Sequence, residues 1–401
     1  MIVGAYGIDP SISAVNAGWA MVFYGSLDGF SAVAPDWVLN GETAGDQYGV
    51  SVSAAGDVNG DGSDDVLVGA CGFDIVSHPN VGKVYLYYGS ATGLSVTPAW
   101  TASGIQDNQY FGYRVAGVGD LNGNGHDDIA IGSYNYDGGE GRVYVYYGSD
   151  TIPASTADWT AEPNQAGSRF GISVSGIGDV NGDGYDDLIA GADFYTDGTT
   201  NEGAAFAWFG SPAGLGDPDT TENADWMAES NQTTRFFAEF LGTPGDVNGD
   251  GIDDVAVDSL YYNNAVSNTD PSYREGKLWA YYSKAGVITG TVTYAGPIAA
   301  PHQIFVSAHL NLGDPPVESD VVFNGDNFKI NRLEDSSYYI GAFLDANDSG
   351  GGPPDPGEPT AWYDPDHDGL PDLVEISGGG YVTGINIVIA DWRIYLPLIL
   401  R

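Results

Sequence analysis

Four aspartate-rich loops at near-constant spacing constrain this chain more than any other feature. They read GDVNGDGSDD (Gly56 to Asp65), GDLNGNGHDD (Gly119 to Asp128), GDVNGDGYDD (Gly178 to Asp187) and GDVNGDGIDD (Gly245 to Asp254). Their first aspartates, Asp57, Asp120, Asp179 and Asp246, lie 63, 59 and 67 residues apart. Trp37, Trp100, Trp159 and Trp226 precede them by 20 residues in every copy. Between these landmarks an aromatic-small pair keeps a fixed offset: Tyr48-Gly49, Phe111-Gly112, Phe170-Gly171 and Phe237-Ala238. Three landmarks in register four times over define a structural repeat.

Each acidic loop is followed by a short apolar run (Val66 to Gly69, Ile129 to Gly132, Leu188 to Gly191, Val255 to Val257). A run with alternating aromatics comes next (Val84 to Tyr88, Val143 to Tyr147, Ala205 to Phe209, Leu278 to Tyr282). With the strand before the loop and the one carrying Trp, a unit has about four strands, the content of a propeller blade. A unit of about 60 residues is long for a solenoid coil and short for an independent sandwich. The 59 glycines suit many short strands joined by tight turns. Length varies after the acidic loops, at Phe73 to Val81 and Tyr261 to Gly276, so those connections form the expected recognition surface.

The order of Phe-Gly, acidic loop, Gly-Ala strand end and Tyr-Tyr-Gly resembles the FG-GAP repeat of the integrin α-subunit β-propeller and its bacterial relatives. The resemblance covers residues 1 to about 285. The third signature appears as Gly69-Ala70-Cys71, Gly132-Ser133-Tyr134 and Gly191-Ala192-Asp193. The last copy departs from it, with Ala238, Asp258 and Ser283 where the others have glycine, as expected of a terminal blade with relaxed packing. Residues 1–36 match the second half of a repeat: Val3-Gly4-Ala5 aligns with Val68-Gly69-Ala70, and Val22 to Gly25 with the Tyr-Tyr-Gly strand. Four full blades and a partial one are therefore expected, with a further acidic loop and a signal peptide upstream of Met1.

The spacing Asp-x-Asn-x-Asp-Gly-x-Asp-Asp puts oxygen side chains at loop positions 1, 3, 5 and 9, with glycine at the sharp turn. Calcium takes six to eight such oxygens, and this is the first part of an EF-hand loop without its helices. The predicted ligands are Asp57, Asn59, Asp61 and Asp65, with Ser63 through its carbonyl; Asp120, Asn122, Asn124 and Asp128; Asp179, Asn181, Asp183 and Asp187; and Asp246, Asn248, Asp250 and Asp254. His126, Tyr185 and Ile252 occupy the carbonyl position, where side-chain identity should matter little. The second loop has Asn124 in place of a ligand aspartate and should bind most weakly. An Asx-turn array without metal would leave the converging carboxylates repelling one another.

After Lys284 the repeat stops. Val287 to Ala295, Ile304 to Ala308, Tyr338 to Leu344 and Val382 to Ala390 alternate like strands of a small β-sandwich over 286–391, followed by a tail at 392–401. ITGTVTY, YYIGAFLDAN and TGINIVI resemble the transthyretin-like or Cna-B-like modules of bacterial surface proteins. Within this region Asp364, Asp366, Asp368, Asp372 and Glu375 fit loop positions 1, 3, 5, 9 and 12, with Leu370 at the carbonyl position, and resemble a thrombospondin type 3 calcium loop. Asp345, Asn347, Asp355 and Glu358 form a looser version.

The balance of 12 basic against 55 acidic residues, net −43, excludes a phosphate-backbone partner. Nearly half the acidic residues, 24 of 55, lie in the loop clusters, which favours cation binding over a general acidic coat. Cys71 is the lone cysteine, and no apolar run is long enough to span a bilayer. His78, His126, His302, His309 and His367 lack zinc spacing, and no nucleophile elbow or phosphate loop appears. The paired aspartates recur in every blade, whereas an active site normally occurs once. The reading is a non-enzymatic, secreted or cell-surface protein with structural calcium that recognises a protein or glycan ligand. The alternative is the accessory propeller of a secreted hydrolase, as FG-GAP propellers also accompany a phospholipase.

Overall fold

The computed structural model describes residues 1–8, 15–26, 29–30, 34–151, 153–216, 220–230, 232, 236–247, 252–260 and 277–281, together with eight strands between 286 and 389. The chain divides into two compact units, Met1–Val247 with Asp253–Tyr282, and Ser283–Arg401 with Asn248–Ile252.

The first unit is a series of antiparallel sheets, the all-β propeller architecture expected from the repeat. An N-terminal sheet joins β1 (Ile2–Ala5), β2 (Trp19–Val22) and β5 (Trp37–Asn40), with β3 (Gly25–Ser26) and β4 (Gly29–Phe30) pairing separately. Blade 1 is β6 (Tyr48–Gly56), β7 (Asp65–Ala70), β8 (Lys83–Tyr87) and β9 (Trp100–Ser103). Blade 2 is β10 (Arg114–Gly119), β11 (Asp128–Ser133), β12 (Arg142–Tyr146) and β13 (Trp159–Ala161). Blade 3 is β14 (Ser173–Gly176), β15 (Leu188–Ala192), β16 (Ala204–Trp208) and β17 (Trp226–Glu229). A last sheet joins β18 (Phe237–Gly245), β19 (Asp254–Ser259) and β20 (Lys277–Tyr281). The half repeat at 1–36, completed by the Trp37 strand, thus supplies the second, third and fourth strands of a blade.

Each tryptophan belongs to the blade before the acidic loop it precedes in sequence. Trp100 pairs with Leu86 of β8 and Trp159 with Val145 of β12. From there the indole reaches the third strand of the following blade, edge to face. Trp37 meets Tyr87 at 5.0 Å between ring centroids, Trp100 meets Tyr146 at 4.8 Å, Trp159 meets Trp208 at 5.2 Å and Trp226 meets Tyr281 at 4.9 Å. Such a pair contributes about 1 kcal/mol beyond the area it buries.

The aromatic-glycine pair is a second contact between blades. Phe111 and Phe170 are buried, and the glycine after each has a positive φ, 81° at Gly112 and 77° at Gly171. The carbonyl that follows points at the strand-end glycine of the preceding blade. A β-carbon on Gly69 would lie 2.1 Å from the Gly112 oxygen, and one on Gly132 2.1 Å from the Gly171 oxygen. No side chain fits there, which is why two glycines some 40 residues apart recur together. In the last sheet Ala238 takes the same conformation at φ 63°, and its oxygen still faces Gly191. Asp258, at the strand-end position of that sheet, accepts the Phe240 amide through Oδ1 at 2.8 Å.

The second unit holds two sheets. In one, β21 (Gly286–Tyr294) lies between β24 (Asn327–Leu333), antiparallel, and β28 (Tyr381–Ile389), parallel. The other orders β23 (Glu318–Phe323), β22 (Gln303–His309), β25 (Ser337–Leu344) and β26 (Thr360–Trp362), with β27 (Leu373–Glu375) also on β25. Ile304, Val306 and Ala308 of β22 are fully buried at the period of two that a strand imposes. The loops at Asp345 to Glu358 and Asp364 to Asp372 and the tail at 392–401 lie outside the described residues.

Candidate metal-binding loops

Each acidic loop connects the first strand of a blade to its second, so the three described in full share one end of the unit. In blade 1 the Asp61 amide donates to Asp57 Oδ1 and to Asn59 Oδ1, both at 2.9 Å. The Gly62 amide reaches Asp57 Oδ2 at 2.7 Å and the Ser63 amide reaches Asp61 Oδ1 at 3.0 Å. These Asx turns draw the oxygens of positions 1, 3 and 5 toward one turn of backbone. Blade 3 repeats the pattern: Asp183 donates to Asp179 and Asn181, Gly184 to Asp179, and Tyr185 to Asp183. Blade 2 keeps it through Asp120, Asn122 and Asn124, but the Asn124 side-chain Nδ2 also donates to the Gly148 carbonyl at 3.0 Å.

Position 9 is different. Asp65, Asp128, Asp187 and Asp254 are fully buried. Asp65 accepts the Val58 amide at 3.1 Å and the Gly89 amide at 2.8 Å, clamping its loop to the Tyr-Tyr-Gly glycine of its own blade. Asp128 holds Leu121 and Gly148, Asp187 holds Val180 and Gly210, and Asp254 holds Val247. Burial outweighs these amides and lifts the acids: Asp65 to about 6, Asp128 to about 8 and Asp187 to about 7. The neighbouring loop carboxylates, Asp61 and Asp57 in blade 1, add to the rise.

The other member of each aspartate pair, at position 8, carries a function that the spacing did not reveal. The Asp57 amide donates to Asp127 Oδ2 of the next blade at 2.7 Å, and the Asp127 amide donates back to the Asp57 carbonyl at 3.2 Å. Asp120 and Asp186 repeat the exchange at 2.8 and 3.3 Å. Gly56 and Gly119 admit these carboxylates; a β-carbon on either would lie 2.0 Å from the incoming oxygen. Position 7 also matters more than its carbonyl role implies. The His126 ring lies over Gly60 of the preceding loop and the Tyr185 ring over Gly123, each within 2.5 Å of where a β-carbon would stand. The recurrent Asp-Asp pair and the glycine before position 1 were the available signals.

Asp246, Ile252 and Asp254 of the fourth loop are described, while Asn248 and Asp250 are not. Among the described residues no three Asp, Glu, His or Cys side chains stand close enough together to hold a metal ion. Each described loop directs two acidic side chains and one asparagine, or one and two in blade 2, toward its turn. These are hard oxygens with lone pairs left after their amide bonds, the donor chemistry that calcium takes. No helix among the described residues is long and apolar enough to cross a membrane.

Comparison with known proteins agrees with this geometry. The FG-GAP repeat model matches residues 48–87, 111–146 and 170–208, each match running from the first strand of a blade through its third. The chain is 36% identical over 163 residues to integrin alpha-5 of Xenopus laevis, covering 38% of this chain and 15% of that protein. It is 34% identical over 203 residues to integrin alpha-IIb of Mus musculus, covering 47% and 19%. It is 31% identical over 221 residues to integrin alpha-PS2 of Drosophila melanogaster, covering 50% and 14%. The chain thus spans less than a fifth of the length of these curated relatives.

Proposed function

We propose that this chain is an extracellular recognition or adhesion module whose propeller is held together by calcium in the acidic loops. The observation that carries the reading is the exchange of bonds between successive loops, Asp57 with Asp127 and Asp120 with Asp186. An ion on Asp57, Asn59 and Asp61, closed by the Ser63 carbonyl and Asp65, would fix the segment on which the next blade is latched. Calcium therefore supplies rigidity to the blade interfaces and takes no part in chemistry. Asp364, Asp366, Asp368, Asp372 and Glu375 would form a further site of the same kind, and the second unit a transthyretin-like or Cna-B-like module. The connections at the opposite end from the acidic loops would meet a protein or glycan ligand, in keeping with the integrin-like repeats.

One titration tests the metal reading. Each independent site saturated at 100 times its dissociation constant adds about 2.7 kcal/mol. Excess EDTA is expected to lower the melting temperature by many degrees, and calcium to restore it. The variant Asp61→Asn is expected to recover less on calcium addition than the wild-type chain. A melt indifferent to EDTA would sink the proposal.

A further inference from the structure

Blade 2 contains an ion-pair arrangement that blade 3 repeats without its cation. In blade 2, Arg142 opens β12, Glu140 stands two residues before it, and Glu162 follows the end of the neighbouring strand β13. The Arg142 guanidinium pairs with Glu162 and lies over the Tyr136 ring at 4.1 Å. In blade 3, Glu202 and Glu229 occupy the same two places, because Ala204 opens β16 and pairs in register with Glu229. The aromatic wall is kept as well: Tyr195 packs on Phe206 as Tyr136 packs on Tyr144. Only the arginine is gone, replaced by Ala204. The first residue of the third strand is also basic in blade 1 and in the last sheet, at Lys83 and Lys277.

The two glutamates left behind are not satisfied by the protein. Glu202 is fully buried. Its Oε1 accepts the amides of Asp197 and Thr199 at 2.9 and 3.1 Å, while its Oε2 is buried and without a partner. Glu229 Oε2 is likewise buried and unpartnered. Burial raises the Glu229 carboxyl above its ordinary range, and the charges of Glu202 and Asp197 add to the rise. Buried carboxylates that face the same pocket repel strongly unless a cation or a proton stands between them.

We propose that Glu202 and Glu229 hold a divalent metal ion in blade 3, in the place that the Arg142 guanidinium fills in blade 2. The donors are carboxylate oxygens, and the Tyr195 hydroxyl, backbone carbonyls and water can complete a shell, a set suited to calcium. Full burial of Glu202 admits a small ion and excludes a side chain from a partner. The site is separate from the acidic loops, since the third strands begin at the opposite end of the blades.

Equilibrium dialysis of the full chain against radioactive calcium tests this, with the ions bound per chain counted at saturation. Ala204→Arg, which rebuilds the arrangement of blade 2, is expected to bind one ion fewer than wild type. In excess EDTA it is also expected to melt at a higher temperature, because it carries its own cation. Glu229→Gln, a smaller change that keeps the fold if the arginine is too large, is also expected to bind one ion fewer. An unchanged count in Glu229→Gln and in any folded Ala204→Arg overturns the proposal and leaves the glutamate pair to share a proton. The loop reading fails separately: Asp61→Asn with a wild-type count would remove calcium from blade 1 without touching the expectation for blade 3.

Discussion

Asp193 shows what a single buried carboxylate costs when its partner is only partly effective. Its side chain is fully enclosed, and Arg169 Nη1 approaches Oδ2 at 3.0 Å from a position that is itself partly exposed. Burial dominates and the guanidinium only moderates it, so the acid is pushed up to about 7. The folded chain therefore holds this proton more tightly than the unfolded chain, in which the group titrates near its ordinary value of about 4. The contribution to stability is most favourable below pH 4 and is lost progressively as pH rises toward 7, after which it is flat. Urea unfolding in EDTA at a series of pH values between about 4 and 8 is expected to show this fall. Asp193→Asn should remove from it the slope of about one proton. A slope unchanged in the variant would mean that Asp193 keeps an ordinary acidity.

At the scale of elements, the landmarks of the repeat turn out to be contacts between blades. The tryptophan, the aromatic-glycine pair with its partner glycine, and the first aspartate of each Asp-Asp pair all reach across to a neighbour. Loop position 8 gives the sharpest test. Asp127→Asn keeps the shape of the side chain that receives the Asp57 amide but removes its charge, and a hydrogen bond to a charged group is worth about 1.5–3 kcal/mol. A loss of about 1 kcal/mol is expected by denaturant unfolding, given that the group is only partly buried. Asp64→Asn, on the corresponding residue of blade 1, supplies the comparison. The repeat, the strand content and the turn built by loop positions 1, 3 and 5 were legible because they depend on local spacing, whereas the clamping role of position 9 was not. Membership of the tryptophan strand was not, since sequence order alone cannot say whether Trp100 pairs back to Leu86 or forward. Asp127 escaped for a related reason: its acceptor role depends on a backbone 70 residues away. Ala204 could have been flagged, because the repeat puts Lys83, Arg142 and Lys277 at its place, but only the structure shows the glutamates beside it.

Across the whole first unit, charge is sorted by end. The acidic loops crowd one end, while the lysines and arginines described in this unit, Lys83, Arg114, Arg142, Arg169 and Lys277, stand near strand starts at the other. Three of them are spent on local carboxylates: Lys83 on Glu42, Arg142 on Glu162 and Arg169 on Asp193. Among the described residues, nothing basic therefore stands beside the loops except His126, whose Nε2 lies 3.4 Å from Asp150. Successive loops touch, through Asp127 on Asp57 and Asp186 on Asp120, so their carboxylates repel over distances well inside the screening length of dilute buffer. That length shrinks from about 30 Å at 0.01 M salt to about 3 Å at 1 M. In EDTA, raising sodium chloride across this range should raise the melting temperature, because screening relieves the repulsion that the folded state concentrates. Saturating calcium should raise it further and flatten the salt dependence, since bound ions neutralise the same carboxylates at close range. Parallel salt curves with and without calcium would show instead that the ions bind away from the crowded end.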